Sequence, residues 1–308
     1  MKYKRFGKTN WKVSNICVGT VELGMKYGLY SNGEKAIPSQ QKSIDLLLES
    51  FDNGINFLDT APAYGNSEEI VGKAIQKWNK KIYLATKIEN FSDKPDKSEL
   101  RKRIKLSITN SLRNLKVDQI DLLQIHSMNI KDDTYLYTLE ILQKYLDKEI
   151  IGALGATVYE VEEAKAAIQS TLISAIQVQY NLLDQKMADE VFSLANNNDI
   201  AILSRSTFLK GALTKRMSYL PSTLTELKKL VGKAKLFANE YSESLTSFAL
   251  KFCISNEQIN AVLIGIRNSD ELNYALEVCN DEPLSKSTLD KTFILKSFSK
   301  EIDPRNWS

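Results

Sequence analysis

The chain has 308 residues, 43% hydrophobic and 26% charged, a composition that excludes a disordered or fibrous protein and allows a large buried core. Its 41 basic and 38 acidic residues leave a formal charge of +3 and interleave along the whole chain, which argues against a nucleic-acid partner, where a basic stripe is expected. Cys17, Cys253 and Cys279 have neither disulfide-framework nor zinc-ligand spacing, and no window approaches the roughly 18 apolar residues of a membrane span, so the expectation is a cytoplasmic protein with free thiols.

The first predicted element is a β-hairpin: residues 3–6 and 12–14 flank Gly7-Lys8-Thr9-Asn10, and such a hairpin suits the floor of a barrel. Eight apolar runs rich in β-branched residues follow, at 16–20, 55–59, 82–87, 120–125, 151–157, 174–179, 200–205 and 261–266. Amphipathic helices are predicted between them. The first, 41–53, is opened by Ser39 and Gln40 and stopped by Gly54; the second, 68–78, has Ser67 as its N-cap. Residues 97–115, 134–147, 161–169, 185–196, 242–253 and 269–278 complete the set, while 24–36, 206–241 and 280–308 read as longer connections or appendages. Eightfold strand–helix alternation fits a single α/β domain over 1–308. The predicted fold is a parallel (β/α)8 TIM barrel with an N-terminal β-hairpin and a C-terminal loop and helix extension. No GxGxxG follows the first strand, so an open dinucleotide-binding sheet lacks its marker.

Chemistry in such a barrel sits at the carboxyl ends of the strands. Asp59 ends one run, Tyr64 lies five positions later, Lys87 ends the next, and His126 directly follows 120–125. Three adjacent strands therefore aim an acid, a phenol, an amine and an imidazole at one mouth. Each has an ordinary structural explanation alone, as a cap, a packed ring, a solvated amine or a partner for a backbone carbonyl. Together they suit carbonyl reduction, which needs hydride at carbon and a proton at oxygen. A phenol is a weak acid at neutral pH; a Lys87 cation would stabilise its phenolate, Asp59 would keep Lys87 charged, and His126 would hydrogen-bond the substrate oxygen. His126 is the only histidine, which excludes multi-histidine metal sites, and no metal is expected. Nor is there a GxSxG signature of nucleophilic hydrolysis.

At these residues the chain resembles the aldo-keto reductase family. The resemblance rests on Asp59-Thr60-Ala61-Pro62-Ala63-Tyr64-Gly65-Asn66-Ser67-Glu68-Glu69 and Val71-Gly72-Lys73-Ala74. Phe6-Gly7-Lys8-Thr9, Gly19-Thr20, Thr86-Lys87 and Asp121-Leu122-Leu123-Gln124-Ile125-His126 follow the family's order and spacing. It implies an NAD(P)H-dependent oxidoreductase that reduces an aldehyde, ketone or sugar-derived carbonyl, with Asp59, Tyr64, Lys87 and His126 catalytic and Tyr64 the proton donor. The implied cofactor is NADP(H), or less often NAD(H), bound in an extended pose. Gly19, Thr20, Val21 and Asp59 would lie near its nicotinamide end, with Thr157 and with Gln177, which matches a glutamine that bonds the carboxamide. Arg205 occupies a position where an aromatic residue often stacks, and Ser206, Phe208, Lys210 and Gly211 continue that cofactor segment.

The last cofactor segment of the resemblance contains Gly265, Arg267 and Glu271. Many members carry a cation at the positions of Gly265 and Glu271, beside the adenosine 2′-phosphate; this chain has none there, and Arg267 or Lys210 would have to replace it. Similarity of Arg205-Ser206-Thr207-Phe208-Leu209-Lys210-Gly211 to members of bacterial surface-sugar pathways mildly favours a sugar-derived substrate. Met25, Tyr27, Leu29 and Tyr30 form a candidate aromatic wall, and Asp303-Pro304-Arg305-Asn306-Trp307 a candidate lid. Two other readings share the barrel: a nucleotide-sensing subunit with little turnover, and a retained-cofactor dehydratase or epimerase.

Overall fold

The computed structural model describes residues 1–31, 37–88, 93, 95–126 and 133–307. Strands β1 (Tyr3–Arg5) and β2 (Lys12–Ser14) pair antiparallel, Lys4 opposite Val13, as the hairpin pattern predicts. The barrel strands are β3 (Ile16–Gly19), β4 (Phe57–Asp59), β5 (Tyr83–Ile88), β6 (Ile120–Ile125), β7 (Ile151–Thr157), β8 (Ile173–Gln179), β9 (Ala201–Arg205) and β10 (Ala261–Gly265). They pair in parallel in that order and close between β10 and β3. Every one of the eight lies within or one residue beyond its predicted run.

The two-residue alternation of a strand explains the layering. One set of positions faces outward: Val18, Leu58, Leu84, Leu123, Leu154, Ile176, Ile202 and Ile264 join the large core under the helices. The alternate set forms a separate inner cluster of Cys17, Phe57, Ala85, Leu122, Ala153, Ala175, Leu203 and Ala261. Phe6 and Val13 of the hairpin belong to this inner cluster, so the hairpin does plug the floor. Phe6 meets Phe57 edge-on at 5.1 Å and stacks on Trp11 at 5.8 Å. Gly7, at φ +53°, turns the chain where a Cβ would come within 2.6 Å of the Ala201 amide. Apolar floor below leaves the inner positions at the upper strand ends for polar groups.

The surrounding helices are α1 (Val21–Gly24), α2 (Gln40–Asp52), α3 (Ser67–Ile75), α4 (Lys97–Leu115), α5 (Asp133–Leu146), α6 (Val161–Gln169), α7 (Ser193–Asn197), α8 (Thr225–Glu240), α9 (Leu245–Ile254), α10 (Ser269–Asn280) and α11 (Lys286–Lys291). Ser39 caps α2 through the Lys42 amide and Gly54 ends it at φ +85°, as expected. Three expectations are corrected. Ser67 does not cap α3: it is the first helical residue, and its hydroxyl donates instead to the buried Thr20 carbonyl at 2.7 Å. The helix predicted at 242–253 starts later, because Ser242 sits at φ +58° and Ser244 provides the cap. The stretch 206–241 is not merely a connection, since α8 buries Leu227, Val231, Ala234 and Phe237 on one face. In the predicted helix 185–196, a π-helical turn spans Ala188–Phe192 ahead of α7. Cys17, Cys253 and Cys279 are buried free thiols, and among the described residues no helix is long and apolar enough to cross a membrane.

Candidate active site

Strand register brings the polar residues into one layer. Asp59 pairs with Gly19 on one side, Lys87 lies opposite Gln124, Gln124 opposite Gly155, Thr157 opposite Gln177, and Gln179 opposite Arg205. The loop after β4 brings Tyr64 back over this layer. Gly65, at φ +60°, lets it turn against α1, where a Cβ would stand 2.4 Å from the Gly24 carbonyl oxygen. His126 emerges directly from the end of β6.

Lys87 is 1% exposed, and its Nζ donates to Asp59 Oδ2 at 2.6 Å and to the Thr60 carbonyl at 3.0 Å. The same ammonium lies 4.9 Å from the Tyr64 ring centroid. Burial alone would lower the Lys87 pKa, but Asp59 and Tyr64 more than offset it, so the amine is held charged. Asp59 Oδ1 accepts from Gln124 Nε2 and from Gln177 Nε2, both at 2.8 Å. Both oxygens of its carboxylate thus have partners, the condition under which a buried ion pair is tolerated.

Burial raises the Tyr64 pKa, opposed by the Lys87 cation and reinforced by Asp59. Lys87 acts in the expected direction, yet desolvation wins, and the free phenol stays protonated at neutral pH. His126 is pushed down to about 4, first by burial and then by Lys87 and Arg205, with Asp59 opposing. It is therefore a neutral imidazole, with one N–H to donate.

A cavity of about 1300 Å³ contains Asp59, Tyr64, Lys87 and His126. That exceeds the ~300–1,000 Å³ of an ordinary small-molecule pocket and makes room for an extended ligand as well as a substrate. It runs from the polar layer around Asp59 and Lys87 past Phe208, Lys210 and Gly211 to Gly265, Arg267 and Glu271. Gly19, Val21, Thr157, Gln177, Arg205 and Ser206 line it too. Thr20 is the exception among the sequence-predicted positions: fully buried, it turns its hydroxyl to the Asp59 carbonyl at 3.2 Å.

Comparison with known proteins places this architecture. The family model for the aldo/keto reductase family matches residues 15–292. The chain belongs to the aldo/keto reductase family. It is 26% identical to an uncharacterized oxidoreductase, YqkF, of Bacillus subtilis, over 94% of each chain. To the aldo-keto reductase YhdN of the same organism it is 28% identical, over 90% of this chain and 88% of the relative. The holo form of aldo-keto reductase AKR11C1 from Bacillus halodurans superposes with a TM-score of 0.80 at 25% identity, covering 98% of this chain and all of that one. The protein is accordingly an oxidoreductase of a family that uses nicotinamide cofactors.

In this aldo/keto reductase the groups suited to a nicotinamide cofactor are available. Thr157 Oγ1 and Arg205 Nε and Nη2 are buried polar atoms of cavity-lining residues with no hydrogen-bond partner among the described residues. Such atoms are costly unless a ligand satisfies them. At the far end Glu271 is held by Arg267 Nη2 at 2.8 Å, by the Arg267 amide at 2.9 Å and by Arg216 Nη2 at 3.2 Å. Arg216 was not singled out in the sequence, because only the packing of 206–241 against the end of β10 delivers it there. Gln124 was also missed, although it stands inside the motif that ends at His126. No group of three or more potential metal ligands occurs among the described residues.

The expected rim is partly realised. Tyr27 lines the cavity, Leu29 packs into the core, and Tyr30 lies between Arg216 and Arg267, whose Cζ atoms are 5.5 and 5.1 Å from its ring centroid. Residues 32–36 of that segment lie outside the described residues. From the C-terminal segment Asp303, Pro304 and Arg305 line the cavity, and the Pro304 carbonyl accepts from Lys210 Nζ at 3.0 Å.

Proposed function

We propose that this aldo/keto reductase reduces an aldehyde, ketone or sugar-derived carbonyl to the alcohol, with NADPH as the preferred reductant and Tyr64 as the proton donor. The observation that carries this reading is the buried Asp59–Lys87 pair beside the Tyr64 ring, next to a neutral imidazole. A bound nicotinamide supplies the hydride to the carbonyl carbon. Thr157, Gln177 and Arg205 would hold its reacting end, and Phe208, Lys210 and Gly211 would line the middle of the trough.

The side chains do the proton chemistry. His126 donates its N–H to the carbonyl oxygen and orients the substrate. Tyr64 Oη gives its proton to that oxygen as negative charge develops there, and the Lys87 ammonium stabilises the phenolate left behind. Asp59 keeps Lys87 charged and fixed, so no reorganisation is needed during the step. Arg216 and Arg267, which meet at Glu271, would stand in for the cations absent at Gly265 and Glu271, and would serve NADP(H) by exchanging that carboxylate for a 2′-phosphate.

The test is a fluorescence titration of wild type and Tyr64→Phe with NADPH and NADH, followed by NADPH oxidation against a panel of aldehydes, ketones and aldoses. Both proteins are expected to bind NADPH, with turnover by Tyr64→Phe lower by about 10²–10⁴-fold. Failure of the wild type to bind either cofactor would overturn the reading.

A further inference from the structure

Beyond the four catalytic groups, one buried polar side chain of the same layer has no role assigned to it. Gln124 is 1% exposed, sits on β6 between Lys87 on β5 and Gly155 on β7, and is not among the residues lining the cavity. Its Nε2 donates to Asp59 Oδ1 at 2.8 Å, while its Oε1 accepts from Gln177 Nε2 at 3.1 Å. Gln177 reaches the same Asp59 oxygen from the opposite side of the barrel. One carboxylate oxygen is thus taken by two amides and the other by Lys87.

The sequence makes room for this arrangement at Gly155. A Cβ there would lie 3.1 Å from Gln124 Cγ and 3.2 Å from both Leu122 Cδ1 and the Ala175 carbonyl oxygen. A bare backbone beside Gln124 is what lets its side chain lie against β7 and extend to Asp59. Amide donors on Oδ1 draw negative charge away from the face of Asp59 that Lys87 and Tyr64 experience. Asp59 works against phenolate formation and Lys87 works for it, so whatever disperses the Asp59 charge favours proton release from Tyr64.

We infer that Gln124 is a positioning residue for carbonyl reduction, which by filling Asp59 Oδ1 keeps Lys87 effective in stabilising the Tyr64 phenolate. The inference rests on the reductase reading above. Gln124→Met keeps the length and volume of the side chain and removes the donor; Gln124→Glu places a second carboxylate beside Asp59.

The experiment measures kcat, KM and NADPH dissociation constants of both variants and the wild type from about pH 6 to about pH 11.5, past the ordinary phenol value. For Gln124→Met, kcat is expected to fall about tenfold and the alkaline limb of its pH profile to rise by about one unit, with KM and NADPH affinity within about twofold of wild type. Gln124→Glu should move the limb further in the same direction. If Gln124→Met does not fold, Gln124→Asn, whose amide is one methylene short, makes the same test. An unmoved limb with wild-type kcat overturns the inference alone. A tenfold loss of NADPH affinity with an unmoved limb also overturns it, by showing that Gln124 acts through Gln177. Wild-type protein that binds NADPH yet turns over no carbonyl overturns the reductase reading itself.

Discussion

The Arg205 guanidinium carbon lies 4.4 Å from the ring centroid of Tyr159, at the wall of the cavity that contains Tyr64 and His126. Arg305 approaches the same ring at 3.9 Å, but Arg305 is paired with Asp303, whereas among the described residues Arg205 donates to neutral acceptors alone, Gln179 Oε1 at 3.3 Å and Ser206 Oγ at 3.4 Å. A partly buried cation that feels Asp184 and Asp303 only at longer range is costly, and its two nitrogens without a partner among the described residues stand where the nicotinamide end of the cofactor is proposed to bind. Arg205→Ala is expected to weaken NADPH binding about tenfold or more in a fluorescence titration, because it removes both a flat surface and buried donors. Equal affinity in the variant would place the nicotinamide elsewhere.

The depressed pKa of His126 sets a pH dependence of stability. The unfolded chain takes up a proton near 6.5 and the folded one only near 4, so the unfolded state binds more protons between these values. Stability from this group is therefore complete above about pH 6.5 and is lost as pH falls toward 4, by up to about 3 kcal/mol. Urea denaturation at several pH values in that window, compared with His126→Asn, would measure it. The same slope in both proteins would assign the acid sensitivity to other groups.

At the far end of the trough, Glu271 competes with any phosphate for Arg216 and Arg267. Glu271→Gln should release both cations and strengthen NADPH binding by roughly three- to tenfold, leaving NADH nearly unchanged, as expected for a partly exposed charge cluster. Isothermal titration with each cofactor decides the point. Weaker NADH binding with unchanged NADPH binding would mean that Glu271 holds ribose hydroxyls, and the preference would be reversed.

The floor of the barrel is separable from the chemistry at its top. Phe6 is fully buried between Phe57 and Trp11, so Phe6→Ala leaves a cavity and should cost about 3–5 kcal/mol in chemical denaturation. With the proposed catalytic layer on the opposite end of the strands, kcat and KM of the folded variant should match wild type. A large loss of kcat would show that strain passes along the strands from floor to mouth.

Much of this molecule was legible in its sequence. Short β-branched runs, spaced by amphipathic helices, marked the eight barrel strands to within a residue or two at their ends. Two-residue alternation then placed Asp59 and Lys87 on the inner face, and His126 at a strand end, since a strand's side-chain direction is a local property. The segment around Tyr64 and Gly65 likewise carried its own turn chemistry. What misled were features with a competing partner elsewhere: Ser67 had the right type and place for a cap, but the Thr20 carbonyl took its hydroxyl. Helix α8 was hidden because its apolar face is narrow within a lysine-rich stretch.

The sequence by itself determined the barrel, its order of elements and the polar residues at its strand ends, because each follows from local period and strand-end position. Closure of the barrel decided the rest. Asp59, Gln124 and Gln177 are separated by 65 and 118 positions from the first to the other two, and meet on one carboxylate oxygen only when β4, β6 and β8 surround one axis. Burial within that ring, which no single segment encodes, makes His126 neutral and keeps Tyr64 protonated. The pairing of Arg216 and Arg267 on Glu271, and of Arg205 on Tyr159, arises in the same way, from loops that neighbour one another only above a closed sheet.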